Sequence, residues 1–167
     1  MAHGKLTFVM PSASVEAFEA FFNHSVRMRW DTLLNASYVE GGGMHPSAGV
    51  VTANAGRGWK RFLSMRTRFV AYEPSRLEAA ILVAPTGLFA QWGASMRFRD
   101  RPDGHTDLVY TFTLHTRPHW SAWLLDPVAR VLFIWETRRR FRAMAGYLAG
   151  AARTTVDRAA NHSDAIR

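Results

Sequence analysis

The stretch 120–150 constrains this fold more than any other, because it reads as one long helix. Apolar residues recur at Leu124, Val128, Val131, Leu132, Trp135, Phe141, Ala145 and Leu148, and these three- and four-residue steps lay them along a single stripe. At ~1.5 Å per residue such a helix reaches roughly 45 Å, enough to cross a whole sheet. The stripe therefore predicts a broad apolar partner surface. Arg138, Arg139, Arg140 and Arg142 crowd the second half, where cations suit both a solvated face and the negative end of the helix dipole.

That partner surface is expected upstream, where the chain reads mostly as strands. Residues 5–10 alternate as a first strand, which Pro11 ends. Ser12 or Ser14 is placed to cap a short helix carrying Val15, Phe18, Phe21 and Phe22; after a break at Asn23-His24 a second helix is expected over 25–35. Six more strands follow, at 38–40, 49–54, 59–72, 76–84, 88–99 and 106–116, separated by turns rich in Gly, Pro and Asp. Turns this short favour an antiparallel meander. Leu63, Met65, Thr67, Phe69 and Ala71 share one side of their strand, as do Trp92, Ala94, Met96 and Phe98, then Leu108, Tyr110, Phe112 and Leu114. Arg66, Arg68, Arg97, Arg99, Thr111 and Thr113 occupy the other side. A sheet with one apolar face needs one cover, and the C-terminal helix is long enough to be it.

The expected fold is thus α+β: a curved antiparallel sheet of about seven strands around a long C-terminal helix, with two short helices after strand one. A length of 167 residues suits one domain, taken as 1–150, with the polar segment 151–167 expected as a flexible tail. Hydrophobic content of 48% against 20% charged residues favours a packed core over disorder. The 21 Lys and Arg against 13 Asp and Glu leave a charge of +8, which favours anionic partners without naming one. With no cysteine, disulfides, thiolate nucleophiles and Cys-based metal sites are excluded. The first residues lack a signal-peptide core and no window approaches about twenty apolar residues, so a cytoplasmic location is expected.

The opening Met10-Pro11-Ser12-Ala13-Ser14-Val15-Glu16-Ala17-Phe18 resembles the proline-led entry to the first helix of the START-like (SRPBCC) helix-grip superfamily, in its polyketide cyclase/dehydrase-like branch of small bacterial proteins. Arg29-Trp30-Asp31, Tyr38-Val39-Glu40-Gly41-Gly42, Trp59-Lys60-Arg61, Pro85-Thr86-Gly87 and Glu136-Thr137-Arg138-Arg139-Arg140-Phe141 extend the resemblance over about residues 5–149. It implies a deep cavity between sheet and helix that holds a hydrophobic small molecule or lipid, for transport or sensing. It also implies an alternative, cyclisation, aromatisation or dehydration of a polyketide in the same cavity. A third reading takes the chain as a basic module whose surface binds anionic partners, peripheral contact with an anionic membrane included; no specific nucleic-acid contact is expected, since no aromatic platform lies among the arginines.

Large residues (Trp92, Phe98, Phe112) mixed with small ones (Ala71, Ala79, Ala94) leave room for such a cavity. Its expected lining is Trp30, Tyr38, Met65, Thr67, Trp92, Met96, Tyr110 and Phe112, with Leu124, Val128, Val131 and Trp135 as the helix wall. Thr67 and Tyr110 are the polar groups on otherwise apolar strand faces. Tyr110 is the candidate general acid, and Asp31 or His45 could serve at the mouth. Neither cofactor nor metal is expected: Gly56-Arg57-Gly58 lacks the third glycine of a dinucleotide loop, and no carboxylate accompanies His115 and His119 in sequence. No nucleophile elbow or other catalytic signature occurs.

Overall fold

The computed structural model describes residues 1–164, without the side chains of Trp59, Phe62, Leu63 and residues 155–164. Strand β1 (Ala2–Met10) leads through Pro11 into helices α1 (Ser14–Phe22) and α2 (His24–Trp30). Strands β2 (Leu34–Val39), β3 (Val51–Gly56), β4 (Met65–Glu73), β5 (Leu77–Leu82), β6 (Phe89–Asp100) and β7 (Thr106–Thr116) follow, then helix α3 (Ala122–Asp164). The strands form one 7-stranded antiparallel sheet in the order β1-β7-β6-β5-β4-β3-β2, a meander in which the first strand pairs with the last. This is the α+β architecture expected from the sequence. The segment anticipated as a tail carries helical backbone continuous with α3 as far as Asp164, and most of it lies outside the described side chains.

Local chemistry accounts for the boundaries that differ from expectation. Neither Ser12 nor Ser14 caps α1 through its side chain; the Asp100 carboxylate, from the end of β6, accepts from the Ser14 amide at 2.7 Å and its hydroxyl at 2.8 Å. A distant strand thus supplies the anion at the helix N-terminus. Asn23 starts α2, its Oδ1 accepting from the Ser25 and Val26 amides at 3.0 and 3.2 Å. That helix stops at Trp30, because Asp31 turns extended and its carboxylate accepts from the Leu33 amide at 3.1 Å. The strand expected from 59 begins at Met65 instead, after a 3-10 helix over Gly58–Leu63. Gly56 makes that fold-back possible: a Cβ there would stand 2.2 Å from the Lys60 carbonyl oxygen. The expected inward position of Leu63 lies outside the described side chains.

Two phase changes decide what faces the interior. A bulge between Phe69 and Ala71 turns Tyr72 inward, so that Tyr72 pairs with Glu78 and Ala71 with Ala79. Ala71 and Ala79, expected inside, therefore point away, while Glu78 and Ala80 are buried. On α3 the buried side runs through Ala122, Asp126, Ala129, Phe133, Glu136, Thr137, Phe141, Met144 and Leu148. Phe141 and Leu148 are buried as expected, but Leu124, Val128, Val131, Leu132 and Trp135 are exposed, at 52–61% of their surface. The expected helix wall is thus the outer face.

One end of the interior is filled by rings. Phe18 and Phe22 of α1 meet Phe69, Tyr72 and Phe98 of the sheet edge-to-face, with centroids from 5.3 to 6.4 Å apart. The other end, under the first half of α3, is looser and more polar.

Candidate ligand cavity

At that looser end α1, α2, strands β2 to β7 and α3 line a partly open space of ≈ 80 Å³. At ~10–15 Å³ each it has room for several waters, and it is far smaller than the roughly 300–1,000 Å³ of ordinary ligand pockets. Any ligand beyond a few atoms must displace lining side chains. Met65, Thr67, Trp92, Met96 and Tyr110 line it, as the strand faces indicated. The remaining expected contacts stand elsewhere. Phe112 is buried beneath Tyr110 and Phe133, and Trp30 packs on Phe21 while donating its indole N–H to the Ala20 carbonyl at 2.8 Å. Tyr38 is exposed on β2, and Leu124, Val128, Val131 and Trp135 face away from the space.

The lining also contains polar groups that hydropathy did not select: His24, Arg27, Asn54, Glu78, Glu136, Thr137 and Arg140. Asp31 holds two of them. Its carboxylate accepts from Arg27 Nε at 3.1 Å and from Arg140 Nε and Nη2 at 3.0 and 2.6 Å, tying α2 to α3. Burial alone would raise the Asp31 carboxyl, yet Arg140 and then Arg27 outweigh it and hold it down at about 2. Asp31 is thus a permanent counter-ion rather than an acid at the mouth. His45, the other such candidate, is exposed and bonded to the Glu19 carboxylate at 2.8 Å. Lys60 reaches from the 3-10 helix to Glu136 at 2.6 Å, a second buried pair bracing the wall.

His24 is set differently. The Ser37 hydroxyl donates its proton to Asn54 Oδ1 at 2.8 Å, so the short contact between His24 Nδ1 and Ser37 Oγ requires the imidazole to donate. Nε2 is then a bare acceptor, and it is buried without a partner. Burial, then the charges of Arg27 and His45, hold the imidazole down at about 4 and so neutral near pH 7. Trp92 Nε1 is likewise buried without a partner. Burial pushes the Glu78 carboxyl up to about 8 against a smaller pull from Arg27, so at neutral pH it is mostly a protonated donor. Tyr110, the candidate acid, is pushed above the ordinary phenol range chiefly by burial, which suits a neutral hydrogen-bonding group better than a proton source. The Thr67 hydroxyl lies 3.1 Å from that of Thr52 and is satisfied there.

A carboxylate does accompany the histidines near Pro118: Asp126 Oδ2 lies 2.9 Å from His115 Nδ1, and His119 Nδ1 lies 3.1 Å from His115 Nε2. Asp126 stands near the start of α3, a few residues after His119, and the turn at Pro118 brings it back to His115. Among the described residues no group of three or more His, Cys, Asp or Glu is placed to hold a metal.

No family model matches the sequence, and no curated protein matches it. Solved structures do match in shape. A START superfamily protein from Mycobacterium smegmatis superposes with TM-score 0.71 at 11% identity, covering 89% of this chain and 98% of that one. Zhui aromatase/cyclase from Streptomyces sp. R1128 gives 0.68 at 12%, with 89% and 93% covered. Ara h 8.0201 gives 0.69 at 13%, with 89% and 98% covered. At such identities the likeness is one of fold, and the fold is the START-like helix grip.

Proposed function

We propose that this chain, starting from its START-like helix-grip fold, binds an apolar small molecule bearing at least one hydroxyl group, as a carrier or sensor. One observation carries the reading: His24 Nε2, an acceptor, and Trp92 Nε1, a donor, are buried and unpartnered on two residues that line the same space. Leaving such groups unmatched costs about 1–3 kcal/mol each. A ligand hydroxyl would satisfy His24 by donating to it, and a ligand oxygen would satisfy Trp92 by accepting from it, once the side chains covering them give way and Met65, Met96, Tyr110 and Phe133 take the apolar body. The resemblance to the START-like superfamily implies a small-molecule ligand held between sheet and helix, and the START superfamily neighbour shares the fold.

The test is calorimetric titration with 2-naphthol and, in parallel, naphthalene. The expected result is saturable 2-naphthol binding that weakens at least about tenfold in Trp92→Phe and in His24→Phe, with naphthalene indifferent to both. Equal affinity for the two probes, or no binding of either together with no apolar ligand retained in native mass spectrometry, overturns the reading.

A second reading, conversion of a polyketide by cyclisation or dehydration, is supported by a neutral His24 facing the same space as a protonated Glu78, a base and an acid of ordinary catalytic type. The aromatase/cyclase neighbour is consistent with it. Glu78→Gln should then lower turnover of a linear polyketide at least about a hundredfold, and Tyr110→Phe far less. The reverse order would return the acid role to Tyr110.

A further inference from the structure

The outer face of α3 is apolar where a solvated helix should be polar. Leu124, Val128, Val131, Leu132 and Trp135 are 56, 52, 61, 52 and 54% exposed. At about 100° per residue they fall on one side of the helix, opposite Phe133, Thr137 and Met144. Trp120 and Trp123, at 80 and 79%, stand bare at its N-terminal end. Exposed apolar side chains are unremarkable singly, but a contiguous row of this size marks a contact surface.

Charge says what kind. Between Ala122 and Thr154 the acids are Asp126 and Glu136, and both turn inward, 4 and 5% exposed. Asp126 is taken by His115, Thr116 and the N-terminal amine, and Glu136 by Lys60. The outer face thus passes from the apolar row directly into Arg138, Arg139 and Arg142, all exposed and, among the described residues, without a carboxylate partner. The Arg139 guanidinium lies 5.9 Å from the Trp135 ring centroid, joining the two halves. A second copy of this chain would bring the same arginines and no acid to the contact. No helix of the described residues is long and apolar enough to cross a membrane.

We infer that the outer face of α3 docks peripherally on an anionic phospholipid surface. Val128, Val131, Leu132 and Trp135 enter the headgroup boundary while Arg138, Arg139 and Arg142 bind lipid phosphates, the division of labour of an interfacial helix. The surface is independent of what the cavity holds.

The test is sedimentation of the full chain with phosphatidylcholine vesicles and with vesicles about one-third phosphatidylserine. Binding to the anionic vesicles should be at least about tenfold tighter and weaken with salt, with a blue shift of tryptophan emission. The triple variant Val131→Ser, Leu132→Ser, Trp135→Ser should lose about tenfold or more at an unchanged Tm. Arg138→Gln, Arg139→Gln, Arg142→Gln should lose the preference for phosphatidylserine. Equal binding to both vesicles, no binding to either, or a dimer in sedimentation velocity that the apolar triple variant dissociates would each overturn the inference.

Discussion

The two faces of α3 differ less in hydropathy than those of an ordinary amphipathic helix: polar side chains join Phe133, Phe141, Met144 and Leu148 inside, and apolar ones join arginines outside. Its inner face carries Asp126, Glu136, Thr137 and Arg140, and its outer face carries Leu124, Val128, Val131, Leu132 and Trp135. The inner polar groups persist because partners from other elements meet them: His115 and Thr116 at Asp126, Lys60 at Glu136, Asp31 at Arg140. A buried charge with a partner is tolerated, whereas the same charge alone is very costly. What the difference teaches is that partners across the fold let polar side chains share the buried side with Phe133, Phe141, Met144 and Leu148, so hydropathy alone does not show which side turns in.

The largest effect tests the cavity that the inner face covers. Glu78 titrates near 8 in the folded chain against 4.5 in its ordinary state, so the fold binds its proton more tightly than the unfolded chain does. The stability it contributes is full below about pH 4.5 and is lost as pH rises through 8, a fall of about 3–5 kcal/mol. His24 acts with the opposite sense: its value near 4 against 6.5 means that its contribution is full above pH 6.5 and is lost as pH falls through 4, by about 2–3 kcal/mol. Urea unfolding followed across pH should show both arms. Glu78→Gln should flatten the alkaline arm and His24→Asn the acid one; an alkaline arm that survives Glu78→Gln would mean the carboxyl is solvated and the interior less closed than described.

Next in size is the buried pair on the helix itself. Glu136→Ala should cost about 3 kcal/mol in urea unfolding, because Lys60 is left charged and buried. The double variant Lys60→Met, Glu136→Leu should recover most of that loss. If the single variant is as stable as the parent, Lys60 reaches water and the inner face is not held by pairing.

The sheet was largely legible in the sequence: the meander from β2 to β7, the inward faces of β6 and β7 and the extent of β7 follow from alternation and turn residues, whereas the pairing of β1 with β7 does not. The cavity was half legible. Met65, Thr67, Trp92, Met96 and Tyr110 lie on alternating faces and could be read; His24, Arg27, Glu78 and Arg140 could not, because hydropathy passes over charged residues whose partners lie far along the chain. Arg140 and Asp31 are 109 residues apart, and Lys60 and Glu136 are 76. One signal was present for Glu78. It stands two residues before Ala80, and once β5 is registered so that Ala80 pairs with Ala94 and Glu78 with Met96, alternation places the carboxyl inside. The bulge at Phe69, which no residue type announces, is what concealed that register.

The smallest expected effect bears on the outer face. Val128→Ser and Val131→Ser remove apolar surface that is already in water in the folded chain, so each should change stability by less than about 0.5 kcal/mol. Phe133→Ala, on the same two turns but pointing inward against Phe89, Trp92, Tyr110 and Phe112, should cost about 3 kcal/mol. The contrast between neighbours a few residues apart measures the phase of the helix directly. A loss of about 1.5 kcal/mol or more in Val131→Ser, in dilute protein without lipid, would require the residue to be covered in solution. Dependence of that loss on protein concentration would then identify the cover as a second chain rather than a membrane.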